Sequence, residues 1–181
     1  MEKQKNTQLF VIAVLSVVLL TMSVGFAGFA QTLNINGNVT VEGAKWEVGF
    51  VTNTYTESTN SVEATNKSVT GTDMTYSVKL APQEFYEFTV TVKNTGTLKA
   101  QLNKITMSSL TADQAKYLTY TVYYNNTAYT ATTDSLALDL VKDATATVKV
   151  RVEYVLPESA SDLPSEDVDV TLTASLDYSQ V

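Results

Sequence analysis

The chain has no cysteine and no histidine. That excludes a disulfide framework and any Cys- or His-ligated zinc, haem or iron–sulfur centre. It also excludes a cysteine nucleophile and a Ser-His-Asp triad. Cationic charge is scarce: 12 Lys and Arg stand against 19 Asp and Glu, a formal charge of -7. A basic footprint for nucleic acid is therefore missing. Chain breakers are sparse too, with only 3 Pro and 7 Gly in 181 residues, so each should mark a boundary between elements. No glycine spacing matches a phosphate-binding loop or a dinucleotide fingerprint.

What is present favours β-structure. Val, Thr and the 10 Tyr suit a pleated, half-buried surface, and they supply enough apolar bulk to exclude intrinsic disorder. One long apolar run, Leu9 to Val24, follows Lys3 and Lys5 and leads into the small-residue stretch Gly25-Phe26-Ala27-Gly28-Phe29-Ala30. That order predicts a secretory signal peptide, residues 1–27, cut between Ala27 and Gly28, with Ala30 a second site that fits the rule. The alternative is retention of the run as an anchor helix, since about 20 apolar residues span a bilayer.

Beyond residue 28 the sequence alternates with period two, as half-buried strands do. The apolar sets are Leu33, Ile35, Val39 and Val41; Trp46, Val48 and Phe50; Tyr76, Val78 and Leu80; Tyr86, Phe88, Val90 and Val92; Leu118, Tyr120, Val122 and Tyr124; the even positions 144–154; and Val168 to Tyr178. Between Leu102 and Ile105 the phase changes, which predicts a bulge near Asn103-Lys104. Asn94-Thr95-Gly96-Thr97 reads as a hairpin turn with positive φ at Gly96. The polar stretch 53–75 reads as a long loop with room for a short edge strand. Thr111-Ala112-Asp113-Gln114 is a capping box that opens one short helix over 112–117. Eight or nine strands predict a single all-β domain over 28–181, a two-layer antiparallel β-sandwich. A jelly roll is the preferred topology, ahead of an Ig-like Greek key.

Few residues offer chemistry. Glu158, Asp162, Glu166, Asp167 and Asp169 surround a proline-flanked loop and are the one set that could hold Ca²⁺, although the usual calcium-loop pattern is absent. A solvated acidic loop that discourages edge pairing explains them more simply. Tyr117, Tyr120, Tyr123, Tyr124 and Tyr129 could make a carbohydrate platform. Alternation instead puts Tyr120 and Tyr124 in the core and pairs Tyr123 with Tyr129 across strands. No catalytic residue and no cofactor is expected.

The join Gly25-Phe-Ala-Gly-Phe-Ala-Gln-Thr-Leu-Asn-Ile-Asn-Gly-Asn-Val-Thr-Val41 follows the long signal. After it come Ala44-Lys-Trp-Glu-Val-Gly-Phe50 and Leu80-Ala-Pro-Gln-Glu-Phe-Tyr-Glu-Phe-Thr-Val-Thr-Val-Lys-Asn-Thr-Gly96. Together they resemble the TasA and camelysin (CalY) family of exported bacterial proteins with SipW-type signal peptides. The resemblance implies a jelly-roll fold, processing by a SipW-type signal peptidase, and assembly into extracellular biofilm-matrix fibres. There the N-terminal segment of one subunit completes the sheet of the next. Here that donor is residues 28–41, with Leu33, Ile35, Val39 and Val41 facing inward. The partners implied are further copies of the chain, head to tail, and other matrix proteins. The family's aromatic-Ser-Asp after the cut is replaced by Gly28-Phe29-Ala30-Gln31. The metalloprotease label of some relatives has no His here to support it. The alternative is a secreted monomeric surface or binding module, also non-enzymatic.

Overall fold

A computed structural model describes residues 2–27 and 38–181, with side chains from residue 4 to 20 and from 38 onward. The chain divides into two units, residues 1–41 and 42–181. The first contains α1, Glu2–Ala27. Its described apolar side chains, Leu9 to Leu20, are exposed on every face. Among the described residues no helix is long and apolar enough to cross a membrane.

The second unit is a two-layer antiparallel β-sandwich, as the alternation predicts. One layer has five strands in the order β1 (Val48–Glu57), β4 (Phe85–Asn94), β9 (Thr145–Tyr154), β6 (Leu118–Tyr124), β7 (Thr127–Tyr129). The other has three, in the order β10 (Ala174–Gln180), β5 (Ala100–Met107), β8 (Leu138–Leu140). A separate hairpin joins β2 (Thr65–Val69) to β3 (Met74–Ser77).

Period two decides which side chains are buried. In β4 the residues Tyr86, Phe88, Val90 and Val92 face inward; in β9 the set is Ala146, Val148, Val150 and Val152; in β6 it is Leu118, Tyr120, Val122 and Tyr124. Ala100, Leu102, Ile105, Met107 and Leu140 close the core from the second layer. Tyr178 of β10 donates from its hydroxyl to that of Tyr124 of β6 at 3.1 Å, a bond between the layers. The phase change in β5 is a bulge, as expected. Asp177 pairs with Lys104 and Tyr178 with Leu102, leaving Asn103 as the extra residue. Both Leu102 and Ile105 are thereby fully buried. The β6–β7 turn places Asn125 and Asn126 at φ of 46° and 68°, the left-handed region that asparagine tolerates and that a two-residue type I′ turn needs to match the right-handed twist of its strands.

Several expectations are corrected. Residues 53–75 are not one loop: β1 runs on to Glu57 through an irregularity between Val51 and Thr56, and β2 and the start of β3 fall within the remainder. The bend lets Thr54 Oγ1 accept from the Thr91 N–H at 2.9 Å, restoring a ladder bond that the misaligned backbone would lose. The predicted strand from Val168 begins only at Ala174, and Val168 is exposed. The predicted helix over 112–117 is one 3₁₀ turn, Gln114–Lys116. Both capping-box bonds form nonetheless, Thr111 N–H to Gln114 Oε1 at 2.9 Å and Gln114 N–H to Thr111 Oγ1 at 3.2 Å. The chain turns into β6 too soon for the helix to continue. Among the described residues no glycine has positive φ, and 94–97 is not a hairpin turn, because β4 and β5 belong to different layers. Gly96 is needed for close approach instead: a side chain there would strike the backbone of Lys45 and Glu47.

Candidate functional site

The acidic residues of the 158–169 loop do not converge. Among the described residues no group of three or more carboxylates could hold a metal ion. Asp167 pairs with Lys79 at 2.6 Å and Asp162 with Lys116 at 3.1 Å. Those lysines pair with two of the five carboxylates at the surface, where such pairs contribute about 0–1 kcal/mol. Glu158, Glu166 and Asp169 are exposed. The tyrosine platform is dispersed as well. Tyr117, Tyr120 and Tyr124 are buried, and Tyr117 stacks on Tyr154 with ring centres 5.6 Å apart. The expected Tyr123–Tyr129 pair is not made: Tyr129 sits opposite Val122 and packs on the core, and Tyr123 sits opposite Ala128. Tyr123 instead lies under the Lys149 ammonium, 4.3 Å from the ring centre.

Two polar clusters went unread in the sequence. In the first, Tyr55 and Tyr86 share a 2.6 Å hydrogen bond, and Tyr55 donates to Glu57 Oε1 at 2.7 Å. Lys67 of β2 reaches Glu57 Oε2 at 3.3 Å. Burial pushes the Glu57 carboxyl up, but the bonds from Tyr55, Lys67 and the Ala64 N–H outweigh it and hold it below its ordinary value. Burial raises the Tyr55 phenol to about 12 and does the same to Tyr76, which stacks on Tyr86. The cluster fastens the β2–β3 hairpin over β1 and β4. In the second, Asn94 is fully buried. Its amide nitrogen donates to the carbonyls of Leu98 at 2.8 Å and Leu140 at 2.9 Å, and its oxygen accepts from the Gly96 N–H at 3.0 Å. The side chain thus joins the end of β4 to β8 in the opposite layer. The one sequence signal for it is Asn two residues before Gly, a pattern that turn chemistry also produces.

The outward face of the five-stranded sheet carries Glu87, Lys149, Arg151 and Glu153 in one connected set. Arg151 bridges Glu153 at 2.9 Å and Glu87 at 3.3 Å, and its guanidinium lies 3.9 Å from the centre of the Phe85 ring. These charges satisfy one another.

The sheet edges differ sharply. β7 and β8 have three residues each. β1 is bent, and the hairpin turn covers it where the Phe50 N–H donates to the Gly71 carbonyl at 2.8 Å. β10 has seven residues and, among the described residues, pairs on one side only, with β5. It carries no lysine and no proline, the residues that usually blunt an edge. Nearby, the second unit opens on a segment without strand structure. Lys45 accepts from the Thr97 N–H at 2.8 Å, Glu47 accepts from the Thr95 N–H at 2.9 Å, and Glu42 pairs with Lys142 at 2.9 Å. Upstream of those anchors Asn38 to Val41 forms no strand, and Val39 and Val41 are 83% and 85% exposed. Residues 38–41 of the expected donor segment thus take no strand structure. Leu33, Ile35 and Gly28 lie outside the described residues, as does the side chain of Ala27.

No family model matches the chain, and no curated protein matches it.

Proposed function

We propose that the protein is a secreted structural subunit of an extracellular fibre or biofilm-matrix filament, joined head to tail by exchange of its N-terminal segment 28–41. One observation carries this reading: a sandwich whose β10 edge has no second strand among the described residues belongs to a chain whose alternating segment leaves Val39 and Val41 exposed. Val39 and Val41 alternate with polar residues on one side of the segment, and strand addition to an open edge would supply both a cover for that side and a backbone ladder. The jelly-roll topology, removal of residues 1–27 by a SipW-type peptidase and a place in the matrix outside the cell belong to the same reading. They rest on the resemblance to the TasA and camelysin family. The protein acts without catalysis or a cofactor, and its partners are further copies of itself and other matrix proteins. A secreted monomeric surface or binding module is the second reading. The self-satisfied charges of the outer sheet face favour it, because they discourage face-to-face stacking.

The test is negative-stain microscopy of the exported protein over a concentration range, with N-terminal sequencing of the same material. Filaments and a Gly28 start are expected, and deletion of 28–41 or Ile35→Asp should abolish the filaments. Filaments that survive the deletion, or an intact protein that stays monomeric at high concentration, would pass the assignment to the monomeric module.

A further inference from the structure

We infer that the outer edge of β10 is the acceptor for a strand, and that residues 33–41 of a second copy occupy it antiparallel. This rests on the strand-exchange reading above and adds the acceptor, the polarity and the register. Bonds at either end of β10 fix which backbone groups face out. The Ser108 N–H donates to the Thr173 carbonyl and the Val181 N–H to the Lys99 carbonyl. Odd-numbered residues of β10 therefore bond toward β5, and those of Ala174, Leu176, Tyr178 and Gln180 point to the free edge. No proline interrupts 28–41, so every N–H there can answer them.

Chain direction separates a second copy from the same chain. β10 runs toward the end of the sandwich where Gln180 pairs with Ala100 and Val181 meets Lys99. The second unit is entered at that same end, where Gly43 and Lys45 are anchored to Thr97. A segment that lay on its own β10 and then entered at Glu42 would run parallel to it. Every strand pair described here is antiparallel. Reaching the antiparallel sense within one chain requires a seven-residue strand of about 23 Å and an equal return. That consumes all of 28–41 and leaves nothing for the turn. In a head-to-tail neighbour the segment leaves one molecule and enters the next against the direction of its β10, so it is antiparallel with no turn at all. The register that sets Gly37 beside the bulky Tyr178 also sets Val39 beside Leu176 and Val41 beside Ala174. Leu176 and Tyr178 are half-buried side chains packed on the core, and the incoming valines would extend their face.

The cysteine-free sequence makes the test clean. Exported protein carrying Thr40→Cys is mixed with protein carrying Ser175→Cys or, separately, Ser179→Cys, then oxidised and run without reductant. A reverse pair, Asn36→Cys with Ser179→Cys, checks the other end of the strand. Expected are disulfide-linked dimers from Thr40 with Ser175 and from Asn36 with Ser179, several-fold more than from Thr40 with Ser179. Within one chain, Thr40→Cys and Ser179→Cys closing a loop in a monomer would overturn the inference in favour of parallel self-pairing. Filaments that form without any of these links would overturn the β10 assignment and leave the fibre reading standing. Neither filaments nor links would overturn both.

Discussion

At the scale of single residues, two side chains test the face assignment and the link between layers. Val150 is buried in the middle of β9, opposite Phe88 on one side and Val122 on the other. A carboxylate there has no cation within the core, so Val150→Asp should unfold the domain, given a total stability of roughly 5–15 kcal/mol. Its neighbour Lys149 faces outward, where its ion pair with Glu87 at 3.5 Å and its contact with Tyr123 are both half-exposed. Lys149→Thr should cost no more than about 1 kcal/mol. Equal thermal midpoints for the two variants would reverse the assignment of faces. Asn94 is the more informative residue. Asn94→Ala leaves the carbonyls of Leu98 and Leu140 and the N–H of Gly96 without their partner, at a cost of about 1–3 kcal/mol for a buried unsatisfied group. Asn94→Asp should be worse at neutral pH, since an ionised carboxylate would face two carbonyls that need a donor. Urea midpoints in the order wild type, Ala, Asp check this. A silent Asn94→Ala would mean the side chain does not hold the layers together.

At the scale of elements, the covered edge and the open edge are made by different chemistry. The hairpin is held over β1 by Glu57 and its bonds to Tyr55 and Lys67, while Glu87 is tied to Ser58, Lys149 and Arg151. At Glu87 burial pushes the carboxyl up, and the hydrogen bonds and cations around it win, so it too titrates below its ordinary value. Both groups bind fewer protons folded than unfolded as pH falls through the carboxylate range. The stability they give is therefore present above pH 4.5, the ordinary value of both, and lost as pH drops through their folded values. Glu57→Gln with Glu87→Gln should lower stability at neutral pH and flatten its decline in acid. Denaturant melts at a series of pH values measure it, and an unchanged slope would show that other carboxylates govern acid unfolding. Among the described residues β10 has no such fastening on its outer side, and that difference is why the proposed strand addition is placed there.

At the scale of the whole molecule, the core is rich in phenols: Tyr86, Tyr117, Tyr120 and Tyr124 are buried in it. Burial raises Tyr55 and Tyr76 to about 12 and also raises Tyr86, Tyr120, Tyr124 and Tyr178. These groups keep their protons in the folded state where the unfolded chain has lost them. Their contribution is intact below pH 10 and falls as pH rises through 10 and toward 12, so the protein should unfold cooperatively in alkali. Phenolate absorbance should rise in a single step together with loss of the β-sheet circular dichroism. A gradual rise at pH 10 with the fold intact would mean the hydroxyls are open to water. Tyr178 and Tyr124 link the two layers through their hydroxyls, so the same titration also reports separation of the sheets.

The alternation in sequence determined which residues of β4, β6 and β9 are buried, and the phase slip at Asn103 determined a bulge, because period two is imposed by the pleat of a single strand. The capping box at Thr111 was legible for the same reason: its two bonds span three residues. What sequence could not decide depended on contacts between distant parts of the chain. β1 extends through the polar stretch to Glu57 because Thr91 and Tyr86, more than thirty residues on, offer it partners. Gly96 serves close approach to Lys45 and Glu47, which only the packing of the entry segment reveals. The five loop carboxylates looked like a cation site until tertiary structure spread them apart and gave two of them lysines. That β10 has a single strand neighbour among the described residues is equally a tertiary fact. A strand's own residues specify which side chains it buries, but whether its backbone finds a second neighbour is settled by the layers around it.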